Sequence, residues 1–151
     1  MVYRRIKAKP TLQSAHAILL VSGKYALQLR DNRADIAAAG QWSLFGGLMQ
    51  SGESPREAIE REISEELCLH PAHYRPFGFR DHFAAFEKER IRTWLFVCDL
   101  TDLWETHRLM EGQKTGLFPF ERVESLDMQP VMRKILTSYH QRGTEFRRRR
   151  A

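Results

Sequence analysis

Apolar and polar positions change period several times along the chain, and each change marks an element. Residues 14–21 (SAHAILLV) form a short apolar run closed by Ser22-Gly23, which predicts a buried strand and a turn. In residues 24–30 (KYALQLR), Tyr25, Leu27 and Leu29 alternate with Lys24, Gln28 and Arg30, with Ala26 as a neutral exception. That period of two predicts a half-buried strand, paired with the first as a hairpin. Residues 31–40 read as a loop, and Trp42 to Phe45 as a short apolar segment leading into Gly46-Gly47.

The period then becomes helical. Ser54 suits an N-cap and Pro55 the first helical position, and Glu57 three residues after Ser54 completes a capping box. Ala58, Ile59, Ile63 and Leu67 recur at helical spacing, so the helix runs from about Pro55 to Leu67 with these residues buried. Beyond it, residues 74–86 and 91–100 read as strands joined by the polar turn 87–90, residues 104–110 as another strand, and 117–120 as a short strand or loop. Residues 128–139 read as a closing helix with Val131, Ile135, Leu136 and Tyr139 on one side. Strands, a helix, more strands and a helix predict an α/β (α+β) domain, a mixed β-sheet packed between helices.

Composition adds limits. A length of 151 residues suits one domain, and a hydrophobic content of 42% with 28% charged residues is ordinary for a soluble protein. No apolar run approaches the roughly 20 residues of a membrane helix, and the basic start MVYRRIKAKP has no apolar signal core behind it, so a cytoplasmic location and no membrane partner are expected. Cys68 and Cys98 lack the spacing of a zinc site and are expected to be reduced. The net charge of +5 is concentrated at the ends, in Arg4, Arg5, Lys7, Lys9 and Arg147 to Arg150. The chain divides into an N-terminal extension (1–11), a central domain (12–142) and a basic C-terminal tail (143–151). That tail reads first as a solvated end, and second as a grip for RNA or another polyanion. Nothing in the pattern fixes an oligomeric state.

The chemistry concentrates in residues 46–69. On a 3.6-residue wheel Glu62, Glu65 and Glu66 share one third of the circumference, beside the apolar stripe. Like charges at this spacing repel, so they describe either a solvated helix face or a site for a cation. Arg61, four residues before Glu65, is placed to pair with it. Gly46 and Gly47 allow close backbone approach, and a Gly46 carbonyl would add another oxygen. Such hard donors suit Mg²⁺ or Mn²⁺.

Gly47, Glu53, Arg61, Glu62, Ile63, Glu65, Glu66 and Leu69 stand at the spacing of the Nudix box, G-x5-E-x7-R-E-U-x-E-E-x-G-U, where U is a bulky aliphatic. Six of these are fixed Gly, Glu or Arg positions, and chance would give them together in only about one chain in 10⁵ of this length. The chain therefore resembles the Nudix hydrolase family (MutT-like) over roughly residues 12–140. The resemblance implies an α/β/α sandwich and a metal-dependent hydrolase that cleaves a pyrophosphate bond in a nucleoside diphosphate linked to another group. It implies catalytic roles for Glu62, Glu65, Glu66, Arg61 and Glu53, with metal held by Glu62, Glu65, Glu66 and the Gly46 carbonyl, and Glu62 as ligand or general base. A distal glutamate in an E-G-Q context is matched by Glu111-Gly112-Gln113, so Glu111 is a further ligand or base. Arg30, Trp42 and Gly47 are expected against the substrate, and Phe83, Phe86, Trp94 and Trp104 are further stacking candidates. One position departs from the box: Cys68 replaces its second glycine, which resembles a left-handed helix cap.

The resemblance favours a nucleoside triphosphate, split into monophosphate and pyrophosphate, because Ala84, Ala85 and Phe86 stand where ADP-ribose and diadenosine-polyphosphate subgroups carry proline and tyrosine. The alternatives are a nucleotide sugar or a non-catalytic nucleotide-binding module; the intact run of carboxylates argues against the module.

Overall fold

The structure, a computed structural model, describes the backbone of residues 10–150 and the side chains of residues 10–143. The expectations for Arg4, Arg5, Lys7, Lys9 and the side chains of Arg147 to Arg150 lie outside the described residues. The elements run β1 (Leu12–Val21), β2 (Lys24–Leu29), β3 (Trp42–Ser43), β4 (Phe45–Leu48), α1 (Pro55–Leu67), β5 (Arg75–Ala84), β6 (Glu89–Asp99), β7 (Lys114–Phe118), α2 (Phe120–Val123) and α3 (Pro130–Arg150).

The strands form one mixed sheet in the order β3-β2-β1-β6-β5, with β4 paired to β1 and β7 to β2. β1 is its axis. Its first half pairs antiparallel with β4 (Ser14 with Leu48 through Ala17 with Phe45), and its second half with β2 (Leu19 with Ala26). Its other edge runs parallel to β6, from Leu12–Ile91 to Leu20–Asp99. A parallel pair needs a long crossover, and α1 with β5 supplies it. Alternation along β1 sends Ala15, Ala17 and Leu19 to one face, against Ile59, Ile63 and Leu67 of α1. Ile18 faces the other way, against Met132, Ile135 and Leu136 of α3. The expected sandwich, a mixed sheet between helices, is thus the observed architecture. Among the described residues no helix is long and apolar enough to cross a membrane.

Three local expectations change. β2 is not half-exposed. Both its faces are covered, Tyr25 and Leu27 packing in the α3-side core and Ala26 in the α1-side core, so Gln28, on the same face as Ala26 and bonded to Glu66 of α1, is buried as well. Residues 104–110 are not a strand; Trp104–Thr106 is a single 3-10 turn, followed by irregular chain. Trp104 and Leu109 pack on the α1-side core. The backbone instead caps α1, with Arg108 N donating to the Leu67 carbonyl (3.0 Å) and Met110 N to the Glu66 carbonyl (2.9 Å). A helix end leaves such carbonyls without internal partners, and this segment satisfies two of them. The closing helix continues well past Tyr139, to Arg150.

Candidate functional site

The start of α1 is set locally. Ser54 Oγ accepts from Glu57 N (3.1 Å), and the Glu57 carboxylate accepts from Ser54 N (3.4 Å), closing the capping box. Its end is set by Cys68 at φ 55°, ψ 34°, whose N–H donates to the Ser64 carbonyl (3.0 Å). Cys68 therefore adopts the left-handed conformation expected of the glycine it replaces.

Between these caps the helix turns two carboxylates inward. Glu66 is 1% exposed and Glu62 is 9% exposed, whereas the Glu65 side chain remains 50% exposed. The sheet makes room for them with glycine. A Cβ on Gly47 would sit 2.7 Å from Glu62 Oε1, and a Cβ on Gly46, at φ +141°, would run into the Ala15 carbonyl oxygen. Both Glu66 oxygens accept hydrogen bonds from the sheet, Oε1 from Gly46 N (3.1 Å) and Oε2 from Gln28 Nε2 (2.9 Å).

Burial, followed by the Glu62 charge and a hydrogen bond to Glu62, pushes the Glu66 carboxyl up to about 9. Burial also raises Glu62, against the pull of its bonds to Glu66 and Arg61. Without a cation the pair holds a proton on the Glu66 side, because two charges this close and this buried cannot both persist. Glu111 raises Glu66 further through its charge, so the distal glutamate stands near the pair.

Arg61 ties the outer carboxylates together. It donates to Glu53 (3.0 Å through Nη2), to Glu62 Oε1 (2.9 Å), to Glu65 Oε2 (3.2 Å) and to the Leu48 carbonyl (3.1 Å). Glu53 also accepts from Gln50 N (2.8 Å), and Arg61 holds its carboxyl below the usual range. Among the described residues no three acidic, histidine or thiol groups converge into a finished metal cage. The Arg61 Nη1 lies between Glu62 and Glu65 instead. The donor chemistry nevertheless suits a hard divalent cation: carboxylates of Glu62, Glu66 and Glu65 and the backbone of Gly46, without sulfur, around a buried pair with surplus negative charge.

The site opens on a cavity of about 780 Å³ whose lining includes Gly46, Gly47, Glu62, Arg30, Arg80 and Glu111. Phe83, 61% exposed, and Phe86 stand on its wall, facing residues of α3 such as Val131 and Met132. A smaller, more polar cavity of about 450 Å³ adjoins it between Arg30, Arg33, Gln28 and the Glu111-Gly112 turn. Arg30 lines both and donates through Nε to the Ala37 carbonyl (2.8 Å).

The structure thus brings together Glu53, Arg61, Glu62, Glu65, Glu66, Gly46 and Gly47, and places Arg30 and Glu111 on the same cavity. Trp42 does not belong there. It packs edge-on against Phe118, with Lys114 over its ring, because β3 turns it toward β7. Trp94 is engaged with Phe79 and Gln13, and Trp104 stacks on His107, so neither lines the cavity.

Sequence reading missed three polar features. Gln28 was assigned to a solvent face. His16 lines the cavity with Nδ1 buried and unpartnered, and burial, then Arg30, lowers its ring to about 4, so it is neutral. A chain of hydroxyls and imidazole runs Ser14–Thr93–His82 across β1, β6 and β5 (2.9 and 3.0 Å). The available signal was polar residues inside otherwise apolar strands.

Against known proteins, a NUDIX domain model matches residues 11–139. The chain is 50% identical over 44 residues to nucleoside triphosphatase NudI of Enterobacter sp. (strain 638), which is 28% of this chain and 31% of that one. It is 31% identical over 72 residues to 8-oxo-dGTP diphosphatase of Escherichia coli (strain K12), 48% of this chain and 52% of the relative. The alignments thus span from about a third to about half of these relatives' length. Among solved structures, the MutT protein from Methanosarcina mazei Go1 superposes with a TM-score of 0.74 at 19% identity, over 89% of this chain and 96% of that one. The NUDIX domain of Shewanella oneidensis NrtR, complexed with ADP ribose, gives 0.72 at 15% identity over 94% and 93%. At such identities the likeness establishes the fold. With the glutamate-bearing helix, the shared sandwich and a family model spanning most of its length in agreement, the chain belongs to the NUDIX domain family.

Proposed function

We propose that the chain is a divalent-metal-dependent pyrophosphohydrolase, acting on a nucleoside triphosphate to release the monophosphate and pyrophosphate. The observation that carries this reading is the buried Glu62–Glu66 pair, set against two glycines of the sheet, with Glu62 on the wall of a cavity whose other walls are basic and aromatic. The activities of the two relatives, a nucleoside triphosphatase and an 8-oxo-dGTP diphosphatase, support the substrate class.

In this reading Glu62, Glu65, Glu66 and the Gly46 carbonyl hold Mg²⁺ or Mn²⁺, which when bound neutralises the pyrophosphate and acidifies a water. Arg30, Arg80 and Lys134 on the cavity lining give the phosphates a positive surround. Phe83 and Phe86 offer flat apolar faces to the base. Arg61 fixes Glu62 and Glu65 from outside, and Glu53 holds Arg61. Water attacks phosphorus in line, the phosphoanhydride bond breaks toward the pyrophosphate, and the water's proton passes to Glu62 or Glu111. Cys68 and Cys98 are free thiols, which supports a reducing, cytoplasmic setting.

A screen of nucleoside triphosphates, nucleotide sugars and dinucleotide polyphosphates with product identification tests the proposal. Mg²⁺-dependent pyrophosphate release from a triphosphate is expected, with at least a ~10²-fold loss in Glu66→Gln. Full activity after chelation, or in that variant, sinks it.

A further inference from the structure

Glu66 takes one donor from backbone and one from a side chain. Gly46 N is fixed by the pairing of β4 with β1. The other donor, Gln28 Nε2, is an amide 3% exposed near the C-terminal end of β2, and lies outside the glutamate-rich box. A buried amide costs stability unless it is bonded, and a leucine would fill the same strand position without that requirement. The second acceptor for Nε2, the Leu44 carbonyl, is distant at 3.5 Å, so the bond to Glu66 at 2.9 Å is the principal one.

The other end of the amide faces the distal turn. A Cβ on Gly112 would lie 3.2 Å from Gln28 Oε1 and 2.9 Å from the Leu29 carbonyl oxygen, so the turn closes directly over Gln28. That turn is fastened to β2 by Gln113, whose N donates to the Leu29 carbonyl (2.8 Å) and whose Nε2 donates to the Arg30 carbonyl (2.9 Å). Met110 N fastens it to the Glu66 carbonyl. Gln28 therefore stands between the Glu66 carboxylate and the turn that carries Glu111.

We propose that Gln28 is a positioning residue: its amide fixes the orientation of the Glu66 carboxylate for a divalent cation while leaving the carboxylate's charge intact. The type of residue matters. Lysine or arginine at this place would bond Glu66 but cancel the charge that attracts a cation. An apolar residue would leave Oε2 free to turn. A neutral donor does neither. The inference rests on the metal-dependent reading above, and concerns a residue that reading does not use.

The test uses the full chain with Gln28→Met, which keeps the length and removes the donor, and Gln28→His, whose Nε2 reaches a similar distance. Mn²⁺ binding is measured by electron paramagnetic resonance without nucleotide, then kcat and KM for a nucleoside triphosphate at saturating Mg²⁺. Q28M is expected to bind Mn²⁺ about 10- to 100-fold more weakly, with kcat reduced and KM unchanged, and Q28H to recover most of both. Wild-type Mn²⁺ affinity and kcat in Q28M overturn the proposal. Should Q28M fail to fold, Q28H decides: affinity near wild type supports the role, and loss of binding in a folded Q28H overturns it. A wild-type chain that neither binds Mn²⁺ nor needs metal for cleavage overturns the metal reading itself. Wild-type binding matched by Q28M overturns only the role of Gln28.

Discussion

Glu66 makes the metal-free protein sensitive to alkaline pH in a direction opposite to that of an ordinary ion-paired carboxylate. In the folded chain its carboxyl titrates near 9, and in the unfolded chain near the ordinary 4.5. Between those values the folded state keeps a proton that the unfolded state has released. Stability therefore falls as pH rises, by about 1.4 kcal/mol per pH unit for one group. His16 acts in the other sense. Its folded value near 4 lies below the free 6.5, so its contribution is complete above about pH 6.5 and is lost as pH falls toward 4. A window from pH 7 to 8.5 isolates Glu66 from the histidine. Over it the metal-free chain should lose about 2 kcal/mol, roughly 4–8 °C in Tm for a chain of this size. The assay is thermal denaturation by circular dichroism in chelator at constant ionic strength, on wild type and Glu66→Gln. The glutamine cannot ionise, so its Tm should stay nearly level across the window, whatever its starting value. Mg²⁺ should reverse the wild-type loss, since cation and proton compete for the same oxygens. Parallel slopes for the two proteins, or a wild-type Tm that rises across the window, would refute the buried-pair account.

Arg61→Ala should destabilise the chain by about 2–4 kcal/mol in chemical denaturation, because it strips the partner from Glu53 and Glu62 at once; Arg61→Lys should recover only part, having no planar fork. Cys68→Gly should raise Tm by no more than about 2 °C, because about 1 kcal/mol of left-handed strain is relieved but glycine gives most of it back as entropy of the unfolded chain. Gly46→Ala should prevent folding or cost more than about 3 kcal/mol by thermal melt, whereas Gly52→Ala should cost only about 1 kcal/mol. Both glycines have positive φ, but only Gly46 has backbone in the way; equal losses at the two positions would contradict the close fit of β4 on β1.

How far the sequence carries can be followed at single residues. Helix α1 was legible from end to end, since Ser54, Pro55 and Glu57 act on their immediate neighbours and the stripe from Ala58 to Leu67 reports burial at short range. The carboxylate arc was legible too, because helical geometry alone puts Glu62 and Glu66 on one side. Residues 104–110 misled because apolar residues such as Trp104 and Leu109 report which side chains are buried, not where the backbone hydrogen bonds go; here they go to the end of α1. Gln28 misled for a related reason. Whether a strand is buried on one face or two depends on what packs on the sheet there, and Glu66 of α1 together with the turn at Gly112, both far along the chain, cover the Gln28 face of β2. Trp42 looked like a stacking residue until β3 turned it toward Phe118.

The sequence by itself determined the family, most of the order of elements and the glutamate-bearing helix, because each rests on local periodicity, capping or fixed spacing. Only the tertiary structure decided that Glu62 and Glu66 are buried side by side, that Gly46 and Gln28 hold Glu66, and that Phe83 rather than Trp42 faces the cavity. Those outcomes depend on desolvation and on contacts between elements far apart in the chain, which sequence spacing does not encode.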